Sequence, residues 1–482
     1  MASILPLILL LLSSSCLGSD EQVDELGYMV VPASSLKDIE DGAACSGHKG
    51  MPSSSSTWIP LNRPHGPCSP SDASSPAVMV DDMLLWDQDR ANYIRGRLSD
   101  GGGRELEINT HGANSTGTYS PNYSLLSKGK LGTPKGRGNA SLNIDLAAAG
   151  GSNSGGVSQT LVIDTSSDIP WVQCLPCPSP QCHLQKDQFY DPTRSSTYAP
   201  ISCGSTTCAQ LGTSYSNGCS ISQQCQYTVS YGDGTATTGT YVTDRLTLGP
   251  NIVVPNLRFG CSHAVRGFFS DQTAGTLALG GGSQSLLAQT ARTFGNAFSY
   301  CVPSPSASGF LSMGGPTVAT SFFGHTPLIQ NPRNPTFYLV RLQAITVAGS
   351  RLNVPPVVFS AGSVMDSSMI ITRLPPTAYR ALRSAFRRAM IMYPLTAPRP
   401  DLDTCYDFLR FPTVRVPRIS LVFDGGAVVQ LDRTSVMLDG CLAFGANPSD
   451  SAVGFIGNVQ QQTYEVLYDV GGRSVGFRRG AC

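Results

Sequence analysis

From Thr160 to the end of the chain, apolar residues come in short runs rich in Val, Ile, Leu and Phe. Turn signals separate them, among them Gly232-Asp233-Gly234, Gly249-Pro250 and Asp424-Gly425-Gly426. That alternation predicts a mostly β protein. Two stretches have helical spacing instead. Pro376 to Tyr393 sets Tyr379, Leu382, Ala385, Phe386 and Met390 on one side, with Arg380, Arg383, Arg387 and Arg388 on the other. Asp82 to Leu98 turns Met83, Trp86, Arg90, Tyr93 and Arg97 to one face and Leu85, Asp89, Asn92 and Gly96 away. Ser99-Asp100-Gly101-Gly102-Gly103 then stops it. The four arginines of the later helix read most simply as a solvated face, a polyanion-binding patch being the sharper alternative.

Length and charge refine this picture. A chain of 482 residues has room for more than one core. Only 14% of it is charged, which suits a β-rich exported protein. Formal net charge is zero, yet residues 1–109 carry 7 Lys and Arg against 15 Asp and Glu, and the rest carries 26 against 18. An acidic leader ahead of a basic body reads either as an intramolecular electrostatic partner or as ordinary surface variation. Ile4 to Leu12 is an apolar run too short to span a bilayer, and Cys16-Leu17-Gly18 offers small residues for cleavage. Residues 1–19 are expected to be a secretory signal peptide and residues 20–110 a propeptide, with a disordered tail as the bland alternative. No other stretch is long and apolar enough to predict a membrane span. Asn114, Asn122 and Asn139 head three glycosylation acceptor triplets in a Gly/Ser/Asn-rich region.

The candidate chemistry lies in a repeat. Leu161-Val162-Ile163-Asp164-Thr165-Ser166-Ser167 returns as Ser363-Val364-Met365-Asp366-Ser367-Ser368-Met369. Each copy ends an apolar strand on one Asp and continues into small residues in a turn. A duplication of this kind predicts two related lobes, each giving one carboxylate to a shared site. Two carboxylates held close cannot both ionise cheaply, so they share a proton. The ionised member can then draw a proton from water while the protonated one donates to a carbonyl. That chemistry hydrolyses an amide at acid pH without a covalent intermediate. A lone Asp-Ser or Asp-Thr is more often a turn or a helix cap; the duplication argues against that here.

The repeat resembles the pepsin-like aspartic proteases, and within them the secreted plant nepenthesin-like branch. Trp171, seven residues after Asp164, matches the family's flap-supporting Trp, and Tyr231-Gly232-Asp233-Gly234 is similar to its flap hairpin. Phe455-Ile456-Gly457 with Asn458-Val459-Gln460-Gln461-Gln462 resembles the second hydrophobic-hydrophobic-Gly segment. Tyr464 to Asp469 and Val475-Gly476-Phe477 resemble the closing strands. Leu131-Gly132-Thr133-Pro134 resembles a strand-turn ahead of the first motif, followed here by an insertion from Lys135 to Ser158. Trp58-Ile59-Pro60-Leu61 and Gly66-Pro67-Cys68 resemble family pro-segments. The resemblance covers about residues 118–482. It implies a mostly β, bilobal pepsin-like acid protease fold with pseudo-twofold symmetry, its lobes near 118–303 and 304–482. It further implies a secreted, monomeric endopeptidase of the apoplast or vacuole that needs no cofactor. Its substrates would be proteins or peptides cut between bulky apolar residues. Asp164 and Asp366 would be catalytic, with Ser167, Tyr231 and Trp171 in support.

Twelve of the 15 cysteines follow Thr160, an even number in an exported chain, which argues for disulfides. Cys45 and Cys68 lie in the expected propeptide. Cys174-x2-Cys177-x4-Cys182 raises zinc, but no second pair completes a four-ligand set. The resemblance implies Cys405–Cys441 and Cys301–Cys482 bridges.

Departures from the family pattern matter as much. Ser166 and Ser368 stand where it has Gly, Met369 where it has a hydroxyl residue, and Ala278 where the first hydrophobic-hydrophobic-Gly ends. A Ser keeps the backbone N–H that would bond the Asp, but a forced left-handed torsion would cost about 1–2 kcal/mol. Met369 has no strong donor. Asp366 is therefore expected to have one partner fewer than Asp164, which keeps Ser167, and to be the more readily protonated. These losses favour a rival reading, a catalytically weak or inactive homologue acting as an inhibitor or binding protein. Plant xylanase-inhibitor proteins resemble the same scaffold. Slow, highly selective proteolysis lies between the two. The six His are scattered, and no Gly-x-Ser-x-Gly elbow, phosphate loop or nucleic-acid motif is present, so no nucleic-acid partner is expected.

Overall fold

The structure, a computed structural model, describes residues 23–36, 57–64, 80–99, 125–133 and 156–482, the last span without 179, 250–251, 268, 304–307, 317 and 330. The expected signal peptide, Cys45, Gly66-Pro67-Cys68, the three glycosylation acceptors and most of the 135–158 insertion lie outside the described residues.

The N-terminal segment contributes strands β1 (Tyr28–Pro32) and β2 (Trp58–Leu61) and helix α1 (Val80–Ser99). Strands β3 (Leu126–Leu131), β4 (Val157–Asp164) and β5 (Trp171–Gln173) then open a nine-stranded sheet that forms the first lobe. In it, Gly275–Ala278 lies between β4, to which it is parallel, and β5, to which it is antiparallel. The second lobe repeats that arrangement in a five-stranded sheet. Gly454–Ile456 runs parallel to Ser363–Met365 and antiparallel to Thr372–Leu374. The parallel ladders pair Ala278 with Asp164 and Ile456 with Met365, the residue before Asp366. The repeat legible in the sequence is thus a repeat of topology, and the two-lobed, mostly β expectation holds.

A six-stranded sheet joins the lobes. Ala297–Cys301 pairs with Tyr464–Asp469, and Phe298 stacks on Tyr468 at 4.6 Å between ring centroids. β2 forms the edge of this sheet, antiparallel to Gly309–Met313, while β1 pairs with Thr413–Pro417 in the second lobe. The N-terminal segment is therefore built into the sheets of the body through main-chain hydrogen bonds. Its charge matches as well. Asp24 pairs with Arg415, Asp81 with Arg399 and Asp87 with Arg373, which is the acidic-leader, basic-body attraction anticipated above.

The later helix covers Pro376–Ala389, with Ala378, Tyr379, Leu382 and Phe386 buried. Met390 ends it. Arg383 and Arg387 do not form an open patch; both turn to Asp403. Six disulfides bind the twelve cysteines after Thr160. Cys405–Cys441 and Cys301–Cys482 join as the resemblance implied. Cys174 bonds Cys261, and Cys177 bonds Cys182, so the zinc alternative fails for that group. Cys203–Cys219 and Cys208–Cys225 complete the set beside the flap.

Candidate active site

Both carboxylates of the repeat sit at the end of a buried strand, Asp164 closing β4 and Asp366 following Ser363–Met365. They are 3% and 0% exposed. The two motifs are locked to each other by their second residues. The Thr165 N–H donates to Ser367 Oγ at 3.1 Å, and the Ser367 N–H donates to Thr165 Oγ1 at 3.0 Å. Ser367 Oγ in turn donates to the Ile163 carbonyl at 3.1 Å. Behind them, Asn458 Nδ2 donates to the Ser367 carbonyl at 2.8 Å and Gln461 Nε2 to the Asp366 carbonyl at 3.1 Å. None of these four roles was drawn from the sequence. Their signal was present: a hydroxyl residue directly after each Asp, and an amide run after Gly457.

The motif serines keep the backbone geometry that glycine would give. The Ser166 N–H donates to Asp164 Oδ1 at 2.9 Å and the Ser368 N–H to Asp366 Oδ1 at 2.7 Å. Neither serine has a positive φ, so the anticipated torsional cost does not arise. The count of partners reverses the expectation. Asp366 accepts a second backbone bond, from the Met369 N–H at 2.8 Å, whereas the Ser167 hydroxyl makes no hydrogen bond among the described residues. The main chain, not the side chain, supplies the extra donor at Asp366. Met369 is wholly buried, in an apolar cluster with Phe337, Val364 and Phe455.

Above the pair, the Tyr231-Gly232-Asp233-Gly234 hairpin closes as anticipated, with the Tyr231 N–H bonded to the Thr235 carbonyl at 2.8 Å. Trp171 Nε1 donates to Tyr231 Oη at 2.7 Å, and both rings meet Phe269 edge-on. Burial pushes the Tyr231 phenol pKa up, so the hydroxyl stays protonated. Beside the carboxylates a pocket opens between Trp86 and Arg90 of the N-terminal helix α1 and Val162, Asp164, Trp171, Tyr231, Phe269, Thr276 and Ser368. The hydroxyls of Ser166 and Ser368 are buried without hydrogen-bond partners beside the two carboxylates.

Helix α1 lies across this site. Arg90 Nη2 reaches Asp164 Oδ1 at 2.7 Å and Asp366 Oδ1 at 3.1 Å, and its Nε reaches Asp366 Oδ2 at 3.1 Å. A single guanidinium nitrogen thus bonds both carboxylates. Burial works against the Arg90 charge, but Asp164 and Asp366 outweigh it and hold its pKa above the ordinary arginine value. The flap hairpin rests on the helix. A Cβ at Gly232 would lie 2.3 Å from Tyr93 Cβ and 2.6 Å from the Asp89 carbonyl, so only glycine permits this approach.

The helix meets the body through a ridge of which the spacing singled out only Met83. Met83, Leu84, Asp87, Ala91 and Ile94 are its buried residues, while Trp86, Arg90, Tyr93 and Arg97 are only partly covered. Met83 and Leu84 pack on Ile370, Ile371, Leu402 and Val459; Ala91 and Ile94 pack on Met369 and Phe455. Each such apolar side chain contributes about 1.5–3 kcal/mol when fully buried. Asp87 joins the ridge because the second lobe offers it donors, which no hydrophobic periodicity reveals. Arg95 donates to Asn447 Oδ1 at 2.6 Å and to the Val453 carbonyl at 3.1 Å, with its guanidinium 4.9 Å from the centre of the Phe455 ring.

Comparison with known proteins agrees with this architecture. The models described as xylanase inhibitor N-terminal and C-terminal match residues 152–315 and 337–479. An aspartyl protease family protein of Arabidopsis thaliana is 37% identical over 429 residues, covering 87% of this chain and 86% of that protein. Aspartic proteinase nepenthesin-2 of Nepenthes gracilis is 34% identical over 344 residues, covering 67% and 75%. Among solved structures, edgp (TM-score 0.56, 19% identity, 73% of this chain and 91% of that one) shares the fold. So does basic 7S globulin from soybean (TM-score 0.55, 20% identity, 74% and 91%). The chain belongs to the plant, nepenthesin-like branch of the pepsin-like aspartic protease family, and it is an aspartic endopeptidase.

Proposed function

We propose that the chain is the zymogen of a secreted acid endopeptidase in which Asp164 and Asp366 activate water and α1 is the inhibitory part of a propeptide. The observation that carries this reading is the bridge from Arg90 to both carboxylates. One positive side chain neutralises the pair and occupies the space where water and a scissile carbonyl would sit. With α1 removed, two buried carboxylates remain side by side and share a proton. One acts as base toward water and the other as acid toward the amide. Tyr231, held by Trp171, closes over the substrate. Val162, Phe269 and Thr276 support a preference for bulky apolar side chains beside Asp164. In this reading residues 1–19 direct export and residues 20–110 are the propeptide, with lobes near 118–303 and 304–482. The enzyme acts as a monomer in the apoplast or vacuole. Among the described residues, no helix is long and apolar enough to cross a membrane.

One observation favours the alternative, an inactive homologue that binds or inhibits another protein. The Ser166 and Ser368 side chains stand beside the carboxylates where the family has glycine, and the matching family models are described as xylanase inhibitors. The deciding experiment is cleavage of an unfolded protein between pH 2.5 and 6 after acid incubation, with and without a statine-type inhibitor, beside Asp164→Asn. Cleavage that the inhibitor blocks and the variant lacks supports the protease mechanism. No cleavage by folded, oxidised protein freed of residues 20–110 would leave the binding reading.

A further inference from the structure

Arg373, in the strand Thr372–Leu374, is completely buried, and α1 is a large part of what covers it. Its Nη2 donates to Asp87 Oδ2 at 3.1 Å and to Asp401 Oδ2 at 3.0 Å, and its Nη1 donates to Gln88 Oε1 at 2.6 Å. The other oxygen of Asp87 accepts the Ile370 N–H. Two independent donors, a guanidinium and a backbone amide, therefore converge on one carboxyl group, which is only 3% exposed. Arg373 Nε has no hydrogen-bond partner among the described residues. Removal of α1 takes away Asp87 and Gln88 together and leaves Asp401 as the one acceptor for Arg373 among the described residues. Arg373 would then keep only its bond to Asp401, and the Ile370 N–H would lose its acceptor, so both donors stand open to an acceptor from outside.

We propose that the mature cleft contains a subsite for an acidic substrate side chain, built by Arg373 and the Ile370 N–H and filled by Asp87 in the full chain. The proposal rests on the reading that α1 occupies the substrate cleft and leaves it on activation. Position follows from helix geometry. Asp87 precedes Arg90 by three residues, which places it on nearly the same helix face and about 4.5 Å along the axis. An extended substrate advances about 3.3 Å per residue, so the acidic side chain falls within about two residues of the scissile bond. The chemistry favours a carboxyl group over its amide. Both oxygens of an Asp or Glu can accept from the two donors, whether or not the group is ionised, whereas the NH2 of Asn or Gln would face a donor with a donor. An apolar group there would accept neither the Arg373 Nη2 donor nor the Ile370 N–H, so it is disfavoured as well.

Two measurements test this. The first profiles cleavage at pH 4.5 by acid-activated protein of a peptide series. Asp, Glu, Asn, Gln or Ala is placed in turn at each of three positions on either side of the cut. At one position within two residues of the cut, the acid should exceed its amide about tenfold in kcat/KM, mostly through KM. Arg373→Gln should abolish that difference while amide-bearing peptides are still cut. The second uses unaltered protein, so a misfolded variant cannot obscure the result. The synthetic peptide of residues 80–99 is titrated calorimetrically into acid-activated protein, beside its Asp87→Asn form, and the latter should bind about tenfold more weakly. Equal cleavage of acid and amide at every position, or equal binding of the two helix peptides, overturns the subsite. Discrimination between the helix peptides by a protein that cuts nothing would retain the subsite and remove the protease mechanism instead.

Discussion

The two halves of the carboxylate pair use the same topology and different chemistry. In the first, Asp164 accepts one motif N–H, from Ser166, and the hydroxyl of Ser167 is idle. In the second, Asp366 accepts two, from Ser368 and Met369, although Met369 has no polar side chain. The strand that ends beside each Asp also differs. Gly457 is required in the second half, because a Cβ there would lie 2.4 Å from the Ile370 carbonyl, while the first half accommodates buried Ala278 at the corresponding rung. What is constant is the main chain: a strand, an Asp, a reciprocal Thr165–Ser367 clasp and an N–H two residues on. The side chains at the third and fourth motif positions can drift as long as that main chain holds.

The largest test of this comparison removes the carboxylates singly. Asp164→Asn and Asp366→Asn should each lower kcat by about 10²–10⁴-fold, the range for loss of a positioned acid or base. Equal losses would show that the extra donor at Asp366 is structural, and unequal ones that it divides the roles of acid and base. Second in size is the part of the pH dependence of α1 docking that comes from Asp87, a group held by the second half. Burial pushes the Asp87 carboxyl up to about 6, against the opposing pull of Arg373 and the Ile370 N–H, and Asp366 adds to the rise. Arg95 and Asp401 complete the charged groups around it. The docked state therefore holds the Asp87 proton more tightly than the free helix does. Its contribution is complete below about pH 4 and is lost as pH rises through about 6, by up to about tenfold in affinity per pH unit. Titration of acid-activated protein with the 80–99 peptide at several pH values should show this slope, and the Asp87→Asn peptide should lack it. Parallel curves for the two peptides would contradict the assignment.

Breaking the clasp should come next. Thr165→Val leaves the Ser367 N–H without its acceptor, and Ser367→Ala does the same to the Thr165 N–H while removing a bond to Ile163. An unpaired buried donor costs about 1–3 kcal/mol, so each variant should lower thermal stability by several degrees. The double variant should lose less than the sum, because the two bonds form one unit. Additive losses would mean that the halves are not coupled through these residues. Smaller still is the effect of Ser166→Gly and Ser368→Gly on turnover. Each deletes an unpartnered hydroxyl beside the carboxylates and restores floor space, so kcat/KM should rise about threefold, under 1 kcal/mol in barrier. A fall for either variant would show that its hydroxyl contacts the substrate.

Much of this arrangement is legible in the amino-acid sequence. The duplicated apolar strand ending in Asp marked both halves, and Trp171 with Tyr231-Gly232-Asp233-Gly234 marked the flap, because each rests on a local pattern with one residue type at a fixed spacing. The rest depends on contacts across lobes. The clasp joins residues 202 positions apart, so neither partner signals the other. Arg90 reads as one more polar residue on a helix face, and its role depends on the ridge of Met83, Leu84, Asp87, Ala91 and Ile94 that seats the helix on the body. Helical periodicity counts apolar residues, whereas Asp87 is buried by a partner, Arg373, that lies 286 positions away. The Met369 side chain offers no donor, but the backbone at that position does.

That last point yields the smallest effect and the most direct test of the comparison. If the fourth motif position acts through its side chain, Ser167→Ala should damage Asp164 as a lost hydrogen bond would, by about 1 kcal/mol or more. The structure gives the opposite expectation. Ser167 Oγ makes no hydrogen bond, and the main chain at this position is engaged through its carbonyl, which accepts the Gly280 N–H at 2.8 Å. A methyl group in place of an unpaired, buried hydroxyl removes a desolvation penalty and no bond. Ser167→Ala should therefore unfold at the wild-type midpoint or slightly above it, within about 0.5 kcal/mol. Its kcat and pH profile should be unchanged. A displaced acid limb in kcat with unaltered stability would show that Ser167 turns to Asp164 once Arg90 has left. The first half would then regain a second donor, and the asymmetry between the halves would belong to the zymogen alone.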